Sequence, residues 1–196
     1  MSIAAVVLAA GASRRLGRPK QLVEYAGEPL VRRAARAALE AGCAPVLVVT
    51  GAGAGEVEAA LAGLTVTAVR NEGWSEGVAS SIRAGVEAGA RATPPCDGVL
   101  LLLVDQPAVD APLLRELLDG FSACGGARIV ACSYGGGLGV PAVFPRSRFA
   151  ALAALRGDRG AKALLAADPD VVAVPFPAGA RDVDTDAELP QPAARP

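Results

Sequence analysis

The chain contains no histidine. That excludes histidine general-base chemistry, Ser-His-Asp triads and Cys/His zinc sites together. Cysteine is sparse: Cys43, Cys96, Cys124 and Cys132 stand far apart, with no CxxC pair. Such thiols read as small core or surface residues in a reducing cytosol. Charge of one sign is not in excess either. A formal net charge of −1 argues against a nucleic-acid binder, so any cationic site must be local. No long apolar run is present: residues 3–7 are too few to span a bilayer and follow no basic segment. A soluble, cytoplasmic protein with neither nucleic-acid nor membrane partners is expected. Lysine is the last scarcity. Of 19 basic residues only Lys20 and Lys162 are lysine, so position 20 suggests a site that wants a compact ammonium rather than a planar fork.

What is present is globular: 196 residues, 52% apolar and 20% charged, with the apolar share carried largely by alanine and valine. A chain of this length buries about 70% of its unfolded surface and needs no staple. One domain over 1–189 is expected, with a disordered tail at 190–196 that holds three prolines in seven residues. Barely alternating apolar runs at 3–8, 46–50, 65–69, 99–104 and 129–132 predict strands mostly buried on both faces. Helical spacing falls between them at 29–41, 55–62, 75–88 and 111–118, with Gly42, Gly63, Gly89 and Gly120 placed as C-terminal caps. Asp110 is a candidate N-cap ahead of Pro112. This order predicts a parallel sheet covered by helices on both faces. After Tyr134 a glycine-rich turn leads to a strand at 140–144, helices at 148–155 and 160–167, and short strands at 171–174 and 181–183. That second half is expected to carry a lid or small substrate lobe attached to the main sheet.

The stretch LAAGASRRLGRPKQ, residues 8–21, follows the first predicted strand. Backbone N–H groups and cationic side chains on a glycine turn suit a polyphosphate. It is not a Walker loop, because Gly17 is followed by Arg-Pro-Lys. The run Gly51-Ala52-Gly53-Ala54-Gly55 has Glu56 where a third dinucleotide-binding glycine belongs, and reads as a turn without a ligand. Three polar clusters, at 11–20, 71–81 and 105–107, fall at predicted strand ends. In an open parallel sheet they converge on one rim, where ligands bind.

The loop resembles the signature LAxG-x-S-x-R-x-G-x-x-K of the MobA-like nucleotidyltransferases, through Leu8, Ala9, Gly11, Ser13, Arg15, Gly17 and Lys20. The likeness continues through NEGWSEGVASS at 71–81, Val104-Asp105-Gln106-Pro107, Gly157-Asp158-Arg159-Gly160 and Asp182-Val183-Asp184-Thr185. The branch it most resembles is the molybdenum-cofactor cytidylyltransferases. The resemblance implies a Rossmann-like three-layer α/β/α sandwich, mostly parallel with a late antiparallel strand, as in nucleotide-diphospho-sugar transferases. It also implies an NTP substrate, Mg²⁺ and pyrophosphate release.

Residue roles follow from it. Arg15 and Lys20 would hold the triphosphate and neutralise the departing pyrophosphate. Asp105 ends an apolar strand, where an ionised carboxylate is costly unless paired or bound to a cation. It suits Mg²⁺, the alternative being a turn-former before Gln106-Pro107. Asp182 and Asp184 share a face of a short strand; the family pattern favours Asp184 over Asp182 as second metal ligand, a solvated acidic strand end being the alternative. Leu8, Ala9, Ala10, Gly11, Ser13, Lys20, Asn71, Gly77, Ser80 and Ser81 are the candidate nucleotide contacts, helix capping being the alternative for each serine. Asp158 orders a turn or faces the second substrate, and Trp74 reads as packing rather than a base platform. Ala10, where guanylyl-transferring relatives read LAGG, would narrow the base pocket toward a pyrimidine by ~1–3 kcal/mol. Relatives often carry Gly-His-Pro where this chain has Gly139-Val140-Pro141, which leaves the second substrate open.

The expected activity is transfer of CMP from CTP to the terminal phosphate of a molybdopterin-type cofactor, with a molybdoenzyme or its maturation chaperone as possible partner. The alternatives are a guanylyltransferase using GTP, an NAD(P)H-dependent pigment reductase of the kind found among MobA-related proteins, and a nucleotide sensor without turnover.

Overall fold

The computed structural model describes residues 1–13 and 17–180. Strand β1 (Ile3–Ala9) is buried along all seven residues, because small and branched side chains face a helix layer on either side. A hairpin of β2 (Glu24–Tyr25) and β3 (Glu28–Pro29) follows, turning through Ala26 and Gly27 at φ of 53° and 81°. Helix α1 (Leu30–Glu40) buries Leu30, Val31, Ala34, Ala35, Ala37 and Ala38, and the chain turns away at Gly42 with φ of 90°. Then come β4 (Val46–Thr50), α2 (Ala54–Ala60), β5 (Thr67–Arg70), α3 (Val78–Ala90) and β6 (Gly98–Leu103). Helix α4 (Ala111–Ala123) is capped by Asp110, which accepts the Leu113 N–H at 3.0 Å. Strands β7 (Val130–Tyr134) and β8 (Gly137–Pro145), helices α5 (Phe149–Ala153) and α6 (Lys162–Ala167), and β9 (Val172–Pro175) complete the described order.

Among the described residues the main sheet runs β5-β4-β1-β6-β8-β7-β9. Only β8 is antiparallel to its neighbours, so the carboxyl ends of β5, β4, β1, β6, β7 and β9 share one edge. This is the mostly parallel sheet with a late antiparallel strand that the sequence leads one to expect. Period-two alternation splits β1 between two cores. Ala5, Val7 and Ala9 meet α1 and α4 on one face, while Ala4, Val6 and Leu8 meet α3, α5 and α6 on the other.

Several expectations need correction. Gly89 and Gly120 lie inside α3 and α4 rather than capping them, packed on Val99 and Val130. A methyl at Gly85 would run into Val6, so α3 rests closer to the sheet than a side chain permits; overpacking there costs ~1–3 kcal/mol. The helix expected from residue 75 begins at Val78, since Gly77 at φ of 122° breaks it from the single turn Trp74–Glu76. Strand β5 is a largely exposed edge rather than a buried strand. The second half adds its described strands to the main sheet, β7 and β8 being joined by a tight turn at Gly135-Gly136. The strand expected at 181–183 and the tail at 190–196 lie outside the described residues.

Candidate active site

Beyond Ala9 the chain leaves the sheet and turns through Gly11 and Ser13, the latter at φ of 49°. The loop is fixed from inside by Gln21, only 2% exposed. Its Nε2 donates to Ala9 O at 2.8 Å and Gly11 O at 2.6 Å. Ser13 Oγ accepts the Lys20 N–H at 2.9 Å and donates to Gln21 Oε1 at 3.4 Å. Lys20 is thereby aimed across the end of β1 toward β6. Its ammonium donates to Asp105 Oδ2 at 3.2 Å.

Asp105 stands two residues past β6, with 23% of its side chain exposed against 15% for Lys20. The other oxygen, Oδ1, is buried without a hydrogen-bond partner among the described residues. Neighbouring Gln106 is buried and donates to Tyr134 Oη at 3.1 Å and Gly179 O at 3.4 Å. Tyr134 Oη in turn donates to Val140 O at 2.7 Å, and the Val140 side chain packs on the core. Arg33 holds the following turn by donating to Pro107 O at 2.8 Å, its guanidinium lying 5.3 Å from the centre of the Tyr25 ring.

On the far side of β1, Asn71 clamps the loop into α3. Its amide donates to Ser80 Oγ at 2.8 Å and Ser81 Oγ at 3.1 Å, and its oxygen accepts the Gly73 N–H at 3.0 Å. Ser80 donates back to Gly77 O at 2.8 Å. Gly77 lies against the 157–158 turn: a methyl there would stand 2.5 Å from Asp158 Oδ1 and from Gly157 C and O. Glu76 accepts from Arg83 and from the Gly157 N–H, tying the same turns together. The guanidinium bond holds the Glu76 carboxyl below the usual carboxylate range.

These elements enclose a cleft of about 450 Å³. Of the candidate residues, Leu8, Ala10, Gly11, Ser13, Lys20, Gly77, Ser81 and Asp105 line it. Ala9, Asn71 and Ser80 support it from behind: Asn71 and Ser80 are buried and bonded to each other, and Ala9 is 1% exposed. Arg15, Asp182 and Asp184 lie outside the described residues. Asp158 and Trp74 join the lining, so the tryptophan both packs and faces the cleft. The sequence reading missed Gln21. A glutamine beside the motif lysine carries no charge or spacing signal, and only its burial shows that it organises the loop.

The donor set suits a divalent cation in one specific way. No trio of His, Cys, Asp or Glu gathers among the described residues. One carboxylate with a free buried oxygen is what a magnesium-type ion takes when phosphate oxygens supply the rest. The cysteines stay apart from this chemistry. Burial pushes the thiols of Cys43 and Cys132 up to about 12.

The MobA-like NTP transferase domain matches residues 5–172. The chain belongs to that family. It is 35% identical to nicotine blue oxidoreductase of Paenarthrobacter nicotinovorans, over 93% of this chain and 92% of that protein. It is also 35% identical to a probable molybdenum cofactor guanylyltransferase of Opitutus terrae, over 59% of this chain and 54% of that one. Among solved structures, Rv0371c of Mycobacterium tuberculosis superposes with a TM-score of 0.80 at 34% identity, covering 96% of this chain and 95% of its own. A second structure of Rv0371c is a complex with manganese, with a TM-score of 0.77 at 32% identity, covering 96% of both chains. This MobA-like protein thus carries the NTP transferase domain on a mostly parallel seven-stranded sheet with one late antiparallel strand. No described helix is long and apolar enough to cross a membrane.

Proposed function

We propose that this MobA-like protein transfers CMP from CTP to the terminal phosphate of a molybdopterin-type cofactor, releasing pyrophosphate. The observation that carries the transferase reading is the meeting of Lys20 and Asp105 at the mouth of the β1 loop. A cation and a carboxylate with a free oxygen, beside an open glycine turn, form a triphosphate site.

In this reading Gly11 brings backbone against the phosphates, since nothing lies within 4 Å of where its side chain would project. Gln21 and Ser13 keep that backbone in shape, and Lys20 moves from Asp105 onto the β- and γ-phosphates. A divalent cation held by Asp105, with Asp184 as the proposed second ligand, would supply charge neutralisation on the triphosphate. Arg15 is assigned to the same phosphates. The acceptor phosphate oxygen bonds to the α-phosphorus in line as the bond to the bridging oxygen breaks. The acceptor monoester is already largely ionised near neutral pH, so no side chain need take a proton. That suits a chain without histidine.

Ala10 supports CTP over GTP, because its methyl lies at the lining of the cleft. The test is a thermal-shift panel of CTP, GTP, ATP and UTP with Mg²⁺, followed by pyrophosphate release with the acceptor. CTP is expected to stabilise most; preferential stabilisation by GTP would replace the cytidylyl reading with the guanylyl one.

The second reading, a pigment oxidoreductase, is favoured by the 35% identity to nicotine blue oxidoreductase across 93% of the chain. Against it stands the 51–56 turn, which opens a helix of only seven residues and lacks the dinucleotide fingerprint. NAD(P)H oxidation with a quinone-like dye, and no nucleotide turnover, would establish it.

A further inference from the structure

The cleft is walled unequally. Strand β1 lies between β4 and β6, so residues following those two strands flank the β1 loop on opposite sides, roughly 10 Å apart at ~4.8 Å per strand. The β6 side carries Asp105, with Lys20 on it. The β4 side carries Gly51, and against it sits Trp74. A methyl on Gly51 would stand 2.7 Å from Trp74 Cβ, 2.8 Å from its Cγ and 2.9 Å from Ala10 Cβ. Gly51 has no left-handed φ, so space rather than backbone freedom calls for glycine here. Its bare Cα lets the root of the indole seat against the strand end. Trp74 is half-buried and lines the cleft with Ala10, Val78 and two hydroxyls, Ser75 and Ser81.

We propose that Trp74 is the wall against which the nucleobase rests, and that Gly51 sets how far that wall stands into the cleft, so the pair determines base selectivity. This rests on the nucleotidyltransferase reading above. An indole face accepts any planar heterocycle, whereas its standing distance decides whether one ring or two fit above Ala10.

Trp74 is the only tryptophan in the chain, so the emission of the whole protein reports this residue. The full-length protein is titrated with the most stabilising of the four nucleotides, with Mg²⁺, following emission and thermal shift together. Tripolyphosphate, which lacks a base, serves as control. Emission is expected to change and saturate along the same nucleotide concentration curve as the thermal shift, and to stay nearly constant with tripolyphosphate. Trp74→Ala should weaken the nucleotide by about tenfold and leave tripolyphosphate unchanged, with Trp74→Phe recovering most of the loss. Gly51→Ala should alter the ratio of CTP to GTP affinity without altering that for tripolyphosphate. Saturation by nucleotide with constant emission overturns the proposal, as does a Trp74→Ala protein that loses nucleotide and tripolyphosphate equally. A folded protein that no nucleotide stabilises overturns the transferase reading itself, and the silent thermal shift distinguishes that result.

Discussion

Lys20 and Asp105, 85 residues apart in sequence, meet with 3.2 Å between ammonium nitrogen and carboxylate oxygen. Neither belongs to a regular strand or long helix: one follows the β1 loop, the other the end of β6. Their contact is a product of sheet order, β1 and β6 being direct neighbours in parallel register. The pair places both charges where a triphosphate and its cation would otherwise sit. In the proposed reading, nucleotide binding would exchange one ionic partner for another, without exposing a bare charge.

Lys20→Ala should lower kcat by at least about a hundredfold, the scale lost when one preorganised charge on a transition state is removed. Stability should fall by no more than about 1 kcal/mol, because the pair is partly solvated. Steady-state turnover beside denaturant unfolding checks both halves. Near-normal turnover would remove Lys20 from its assigned role.

Asp105→Asn keeps the side-chain shape and removes the charge. The variant should still fold, while the extra thermal stabilisation that Mg²⁺ or Mn²⁺ adds to CTP disappears. A metal titration at fixed nucleotide reads this directly. An unchanged metal response would show that Asp105 is a turn-former, as its position before Gln106-Pro107 also permits.

Gln21→Leu should act on both stability and affinity. Two carbonyls, of Ala9 and Gly11, lose their donor, and a buried acceptor left unpaired costs ~1–3 kcal/mol. The loop they belong to lines the cleft proposed for the nucleotide, so KM for CTP should rise together with the loss in unfolding free energy. A stability loss with unaltered KM would confine Gln21 to the core.

The sheet and its rim were legible because buried parallel strands barely alternate and the polar clusters at 11–20, 71–81 and 105–107 fall at strand ends. Asp105 after six apolar residues is the plainest instance. Glycine was read less well. Gly89 and Gly120 match the position of a cap, yet they sit inside helices where a side chain would press on Val99 and Val130; sequence names the residue but not which of its two uses applies. Asn71 has the chemistry of a base contact, and its amide is spent on Ser80, Ser81 and Gly73 instead. The β2–β3 hairpin has strands of two residues, too short to carry a period.

Thiol labelling tests the core assignment of the cysteines. With burial holding Cys43 and Cys132 at about 12, the thiolate fraction at pH 8 is about one in ten thousand. Iodoacetamide on the native protein should leave both unmodified by mass spectrometry, and should modify them on denaturation. Rapid native labelling of Cys132 would mean that the sheet between β7 and β8 opens.

Gly77→Ala is the most informative substitution outside the β1 loop. Its φ of 122° is strained for any side chain, and the added methyl meets Asp158 Oδ1 and the Gly157 backbone at 2.5 Å. Backbone strain alone costs ~1–3 kcal/mol. The 157–158 turn cannot be compressed, since Gly157 O also accepts the Ala79 N–H at 3.0 Å. Either the turn or the start of α3 must give, and a turn that moves outward takes Asp158 from the cleft wall. With Asp158 assigned to the acceptor rather than to the triphosphate, tripolyphosphate affinity should hold while turnover with the acceptor falls. Equal loss of both would place the 157–158 turn in the phosphate site; full activity would mean that the turn only closes the surface.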